Sequence, residues 1–264
     1  MKVLVACEES QAVCKAFRKR GHEAYSCDVQ ECSGGVPEWH IQSNVLPLLD
    51  GHCQFQTADG SNHRIEDSWD MVIAFPPCTH LAVSGARHFD KKYNDGRQLE
   101  GLWFFSQFLK IDCSKVAVEN PVNIISGKYI GEHFRYQAFK YGLPVRPAQI
   151  IQPYQFGDPA RKSTCLWLKG LPPLQPTKIV EPKLVEYHYT NGKTTTFSAD
   201  FCRGLGKDRG KTRSKTYPGI AEAMAEQWGS FDVVINDNPK YEPTMEGQMT
   251  WDEIKRGPGN EQIH

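Results

Sequence analysis

The chain of 264 residues has a formal net charge of zero, and its 39% hydrophobic and 23% charged residues describe an ordinary soluble protein. This length allows one large domain, or a domain with a small annex. The longest apolar runs, residues 3–6 and 71–75, are far shorter than the ~20 residues of a membrane span, and the opening segment is shorter than a signal peptide, so we expect a cytoplasmic protein with no membrane partner.

The first 28 residues predict a strand, a helix and a second strand. Residues 2–6 form a short β-branched run, and apolar residues at helical spacing follow between Ser10, a good N-cap, and Gly21. Residues 23–27 resemble a strand that closes on Asp28. In doubly wound α/β folds, nucleotide-like ligands bind where such strands end.

The next elements continue this alternation. Residues 70–75 predict a fully buried strand, residues 98–109 predict a helix, and residues 116–118 predict a strand that ends at Glu119. The buried helix face carries Leu102, Phe105 and Leu109. The pattern predicts a doubly wound α/β fold, with a mostly parallel sheet between helices.

The pattern stops at residues 172–216, which are rich in Pro, Gly, Lys and Arg and predict a small insert rather than another βα unit. Residues 230–264 carry seven acids and three bases, so the rest of the chain has a balance of about +4. Because this tail is polar and interrupted by prolines, we expect it to be poorly ordered or loosely docked.

The most informative segment is Phe-Pro-Pro-Cys-Thr-His at residues 75–80, directly after a buried strand. A lone cysteine is commonly a small buried hydrophobe. Here two prolines stiffen the turn, which favours a Cys78 side chain presented at the rim of the sheet. The nine cysteines of the chain show no disulfide spacing and no Cys/His cluster with four ligands, so we expect free thiols and no metal.

These segments resemble the motifs of the cytosine-C5 DNA methyltransferase family, in the same order. Pro-Pro-Cys is the signature loop of that family, and Glu-Asn-Pro at 119–121 is similar to its Glu-Asn-Val. Residues 156–162 are similar to its Phe-Gly-x-Pro-Gln-x-Arg stretch, and residues 217–228 to the C-terminal motif that packs near the cofactor. The pattern is most similar to compact phage and bacterial members.

The resemblance implies a Rossmann-like methyltransferase with S-adenosylmethionine as cofactor and DNA as partner. It implies catalytic roles for Cys78, Glu119 and Lys162. Cys78 would add to cytosine C6 so that C5 can accept a methyl group, and Glu119 would hold the base. The corresponding domains are residues 1–170 as catalytic core, 171–212 as a reduced recognition insert, 213–229 as the returning motif, and 230–264 as the acidic tail.

The expected cofactor site departs from the family pattern. Glu9, Gln11 and Ala12 stand where the family has glycines, so the loop must be built differently. We expect Asp28 to bind the ribose hydroxyls and Asn44 to lie at the adenine amine. The full set of predicted cofactor contacts is Cys7, Glu8, Ser10, Asp28, Asn44 and Pro76.

A cytosine inside duplex DNA must be flipped out before it can react, which calls for positive charge along the phosphates. The predicted DNA contacts are Arg161, Arg203, Lys207, Arg209, Lys211 and Arg213. Lys215 extends this run, which only Asp208 opposes. Because the insert can offer few base contacts, we expect a short recognition sequence.

Three alternatives remain open. N-methyltransferases place an aromatic residue after a Pro-Pro pair, where this chain has Cys78. A methylase of free deoxycytidine nucleotides would explain the small insert. An inactive DNA-binding regulator would explain the altered glycine loop. We expect the protein to be a monomer.

Overall fold

Residues 1–188, 192–198 and 214–230 are described by a computed structural model of the chain. The strands in these residues are β1 (Lys2–Ala6), β2 (Glu23–Asp28), β3 (His40–Gln42), β4 (Cys53–Gln56), β5 (Asn62–Ile65), β6 (Met71–Ala74), β7 (Val116–Pro121), β8 (Gln149–Ile151), β9 (Thr164–Lys169), β10 (Leu184–His188) and β11 (Thr194–Ser198). The helices are α1 (Ala12–Lys19), α2 (Phe89–Asn94), α3 (Arg97–Leu109), α4 (Lys128–His133), α5 (Arg135–Tyr141) and α6 (Pro218–Gly229).

Seven of the described strands form one sheet in the order β3-β2-β1-β6-β7-β9-β8. The pairs β2–β3, β1–β2, β1–β6 and β6–β7 are parallel, whereas β9 is antiparallel to both of its neighbours, β7 and β8. This confirms the predicted α/β fold with a mostly parallel sheet. The chain order reverses between β1 and β6, which makes that position the switch point of the sheet.

Helices cover both faces of the sheet, as the strand sequences require. Val3 and Val5 of β1 are buried in a core shared with α1 and α6, whereas Leu4 and Ala6 are buried in the core of the opposite face with α3. Successive strand residues point to opposite faces, so a strand that is apolar throughout must be covered twice. The doubly wound arrangement follows from this burial.

The first helix begins later than the sequence predicts. Its N-cap is Gln11, so the prediction of Ser10 as the cap is wrong. The carboxylate of Glu8 accepts hydrogen bonds from the backbone N–H groups of Val13, at 2.6 Å, and Cys14, at 3.1 Å. Glu8 thus satisfies the exposed N–H groups of the first turn, which is the task that an N-cap side chain usually performs.

Part of the predicted insert is an exposed hairpin formed by β10 and β11. It contacts the segment before β9, where Lys183 N donates to Pro159 O at 2.9 Å and Arg161 N donates to Ser198 Oγ at 3.2 Å. No helix in the described residues is long and apolar enough to cross a membrane.

Helix α6 returns to the sheet through a close backbone approach at Gly219. Gly219 N donates to Asp158 Oδ2 at 2.8 Å. A Cβ atom at Gly219 would lie 1.8 Å from Phe156 O, which is far closer than van der Waals contact allows. The residues at 156–158 and 217–219 therefore form one junction, and only glycine fits at its centre.

We predict that Gly219→Ala lowers the free energy of unfolding by about 2 kcal/mol or more, because backbone must move to admit the methyl group. Gly131→Ala is the matched control, since Gly131 lies in α4 and a Cβ atom there meets nothing within 4 Å. That variant should gain roughly 0.5–1 kcal/mol from helix propensity. Urea denaturation of both variants checks this, and equal stabilities would contradict the packing described for Gly219.

Candidate functional site

A cleft of about 660 Å³ opens at the switch point, between the loops that follow β1 and β6. Its volume lies within the roughly 300–1,000 Å³ of small-molecule sites. The structure brings together here eight of the positions singled out from the sequence, which are Cys7, Glu8, Ser10, Asp28, Pro76, Cys78, Glu119 and Lys162. They come from five separate segments of the chain, so the cleft exists only in the folded protein.

The loop that carries Cys78 is anchored from β7. Asn120 is buried, and its Nδ2 donates to Pro76 O at 2.7 Å. Asn123 Nδ2 donates in turn to Asn120 Oδ1 at 2.9 Å. This buried chain of amides fixes the backbone two residues before the half-buried Cys78 thiol. Sequence motifs alone marked Asn120 only as a neighbour of Glu119.

Two further side chains hold the other end of the same loop. Lys92 Nζ donates to Thr79 O at 2.6 Å, and Gln98 Nε2 donates to His80 O at 3.4 Å. Burial lowers the pKa of Lys92, while the nearby charge of Cys78 opposes that shift. Lys92 and Cys78 therefore interact electrostatically across the loop. No motif indicated Lys92, which lies 14 residues further along the chain.

Glu119 lies in β7 and faces the cleft. Burial raises the pKa of its carboxyl group, although the charge of Lys162 and a hydrogen bond with the Thr164 side chain oppose the shift. The carboxyl group therefore keeps its proton to a higher pH than an exposed glutamate does. Lys162 Nζ lies 5.9 Å from the ring centroid of Tyr217, at the start of the returning C-terminal segment.

The β1–α1 loop keeps a glycine-like backbone without glycines. Cys7 and Gln11 have positive φ angles of 59° and 58°. Gln11 is fully buried, and its side chain exchanges two hydrogen bonds with the backbone of Val36, at 2.8 and 3.1 Å. Such φ angles are strained for non-glycine residues, so these hydrogen bonds help to hold the loop in place.

The acidic residues of the cleft differ in what they bind. Burial raises the pKa of Glu8 to about 8, with its helix N–H bonds opposing the shift and the charge of Glu9 adding to it. Asp28 accepts a hydrogen bond from Gln30 N at 2.9 Å at the end of β2. Glu9 is buried, and neither of its carboxylate oxygens has a hydrogen-bond partner among the described residues. From the sequence, Glu9 was marked only as a residue that stands where the family has glycine.

Other predicted positions lie elsewhere. Asn44 is exposed and outside the cleft, and its Oδ1 accepts a hydrogen bond from Leu46 N at 3.1 Å. Arg161 is exposed beside the β10–β11 hairpin. Five predicted DNA contacts lie outside the described residues, namely Arg203, Lys207, Arg209, Lys211 and Arg213. Lys215, the last base of that run, lines the cleft and donates to Ser33 Oγ at 2.9 Å.

Within the described parts of the chain, no group of three or more His, Cys, Asp or Glu side chains could hold a metal ion.

No protein-family model matches the chain, and no curated protein matches its sequence. Solved structures do match its fold. One is a protein from E. coli, described as a presumed DNA modification methyltransferase encoded within a prophage. It has a TM-score of 0.41 and 14% sequence identity, over 69% of this chain and 52% of that one. The matched region thus spans about half the length of that neighbour.

We predict that Asn120→Ala lowers the free energy of unfolding by about 2 kcal/mol, because it leaves Pro76 O and the Asn123 amide without a buried partner. Asn62→Ala is the control, since Asn62 is exposed on β5. That change should stay within about 0.5 kcal/mol of the wild type. Urea denaturation measures both variants, and an Asn120→Ala protein as stable as Asn62→Ala would show that the anchor carries no stability.

Proposed function

We propose that the chain is an S-adenosylmethionine-dependent DNA methyltransferase that methylates cytosine at C5 through a covalent adduct with Cys78. The observation that carries this proposal is that the predicted catalytic residues, which are far apart in the sequence, line the same cleft. Cys78 follows β6, Glu119 lies in β7 and Lys162 precedes β9, yet all three line one cleft together with Asp28 of β2. Side chains from distant segments that meet at the switch point of a doubly wound sheet are typical of an active site.

The cleft has the features that S-adenosylmethionine requires. Asp28 supplies a carboxylate at the end of the strand next to β1, where ribose hydroxyls bind in folds of this kind. Glu9 adds a buried carboxylate whose oxygens have no partner among the described residues. Pro76 and Phe75 give the wall beside β6 an apolar surface. When bound, S-adenosylmethionine supplies the electrophilic methyl group.

Cys78 provides the nucleophile that cytosine itself lacks. Its thiolate forms a bond to C6 of the base, and the electron pair of the C5–C6 double bond moves toward C5 and N3. C5 then carries the electron density that it needs to accept a methyl group. Loss of the C5 proton and departure of the thiolate restore the aromatic ring. The anchored loop and the Lys92 charge hold the thiol ready for the first step.

Glu119 is suited to neutralise the negative charge that develops at N3 of the base. Because burial raises the pKa of its carboxyl group, it can donate a proton to N3 as the Cys78 bond forms. A carboxylate there would instead repel the developing negative charge. Lys162, whose charge acts on Glu119, limits the shift and adds a positive charge at the base-binding end of the cleft.

DNA would approach from the side of the basic run. Lys215 at the end of that run lines the cleft, and the exposed β10–β11 hairpin contacts the segment that carries Lys162. Tyr187 of β10 is 52% exposed, and its ring contacts that of Phe197 in β11. A single hairpin offers few base contacts, so we propose a short recognition sequence.

We predict that the wild type, with S-adenosylmethionine, forms a complex resistant to denaturation with DNA that contains 5-fluorocytosine. Fluorine at C5 cannot leave as a cation, so the Cys78 bond cannot be resolved after methyl transfer. Gel electrophoresis under denaturing conditions detects the complex. Cys78→Ala should form none.

Cys53→Ala is the matched control, because Cys53 is a half-buried thiol on β4 that lies outside the cleft. It should form the complex at the rate of the wild type. The proposal fails if the wild type forms no complex, or if Cys78→Ala still forms one. Free 5-fluoro-deoxycytidine monophosphate in place of DNA tests the nucleotide alternative, and trapping there but not on DNA would identify the smaller substrate.

A further inference from the structure

Glu9 is a buried acid in the wall of the cleft. Its side chain is 6% exposed, and neither carboxylate oxygen has a hydrogen-bond partner among the described residues. A buried carboxylate without partners is costly, and folded proteins rarely retain one without a use. Its neighbour Glu8 is different, since its two oxygens accept the N–H groups of Val13 and Cys14.

The loop holds Glu9 in this position through its backbone. Ser33 N donates to Glu9 O at 2.8 Å, and Gly34 packs so closely on the loop that a Cβ atom there would lie 2.7 Å from Ser10 O. Lys215, which lines the same cleft, donates to Ser33 Oγ at 2.9 Å. Glu9 thus lines the cleft, and its carboxylate oxygens are buried there without a partner among the described residues.

We propose that Glu9 binds the α-ammonium group of S-adenosylmethionine. This inference rests on the proposed function. It assigns cofactor binding to Glu9, which stands where the family has a glycine. The ammonium group carries a positive charge and three N–H donors, which match two acceptor oxygens without partners. The sulfonium centre has charge but no N–H group. A carboxylate against it would also be a nucleophile close to a reactive methyl group.

The arrangement of the cleft agrees with this placement. Asp28 occupies the end of β2 for the ribose, and Cys78 marks the end at which the base reacts. Glu9 lies in the loop after β1, and β1 lies in the sheet between β2, which carries Asp28, and β6, which precedes Cys78. With Asp28 assigned to the ribose, the methionine portion of the cofactor has no assigned partner for its ammonium group, and Glu9 is the acid placed to bind it.

Isothermal titration calorimetry with three ligands tests the proposal. S-adenosylmethionine and S-adenosylhomocysteine both carry the ammonium group, whereas methylthioadenosine lacks the amino-acid portion. Glu9→Gln should weaken binding of the first two by roughly 10- to 100-fold, the effect of losing a hydrogen bond to a charged group. Its affinity for methylthioadenosine should stay within about 2-fold of the wild type, since that ligand has no group for Glu9 to bind.

Glu31→Gln is the matched control, because Glu31 is exposed, lies outside the cleft and makes the same change of charge. It should bind all three ligands as the wild type does. Without ligand, Glu9→Gln should unfold at a temperature equal to or above that of the wild type, because the variant no longer buries an unpaired charge.

Each other outcome has its own meaning. An equal loss of affinity for all three ligands would show that Glu9 supports the loop. A loss of affinity confined to S-adenosylmethionine would place Glu9 at the sulfonium. Either result overturns the proposal. Unchanged affinities also overturn it while leaving the proposed function intact. A wild type that binds neither S-adenosylmethionine nor S-adenosylhomocysteine would overturn both.

Discussion

Parallel pairing of β1 with β6 is the constraint on which the site depends. The register Val3 with Met71 through Ala6 with Ala74 brings the ends of both strands to the same edge of the sheet. From there the chain leaves β1 toward β2 on one side and β6 toward β7 on the other. The two loops diverge, and the cleft lies between them. Every residue of the proposed chemistry is positioned relative to this edge.

The loops at that edge are rigid for different reasons. Hydrogen bonds from Asn120, Lys92 and Gln98 hold the backbone of the loop around Cys78 at three carbonyl groups. The β1–α1 loop is held instead by the buried Gln11, which bonds Val36. In both loops, buried polar side chains fix the backbone through hydrogen bonds. Support of this kind keeps a reactive group in a fixed geometry.

Electrostatics divides the cleft into two regions. Near Cys78, the charges of Lys92 and Cys78 interact, and burial raises the pKa of Glu119, so that its carboxyl group keeps its proton to a higher pH. Near β1, the carboxyl groups of Glu9 and Asp28 lie in the opposite wall. A neutral base and a cationic cofactor would therefore meet surfaces of different character.

The sequence predicted those parts of the molecule that are set by local pattern. The apolar runs of β1, β6 and β7 and the apolar face of α3 were sufficient because burial on both faces leaves a clear signature. The antiparallel direction of β9 and the short β8 were not predictable, since neither is visible in a strand's own residues. Ser10 was wrongly predicted as the cap, because the N–H groups of the first helical turn bind the carboxylate of Glu8 instead.

The candidate site divides in the same way. Cys78 and Glu119 stood out because their neighbours form motifs, and Asn44 was placed by analogy, whereas its side chain binds its own backbone neighbour Leu46. Lys92 could not be found from the sequence, and Glu9 stood out there only as a residue where the family has glycine. Their importance lies in which hydrogen bonds they make or lack, and only the tertiary structure decides that.

Base-resolution mapping of modified nucleotides in the DNA of cells that express the protein tests the central claim most directly, provided the host lacks its own DNA methylation. We predict 5-methylcytosine in a short sequence context, and none in cells that express Cys78→Ala. Methylation of an exocyclic nitrogen, on cytosine or adenine, or modification that persists in Cys78→Ala, would contradict it.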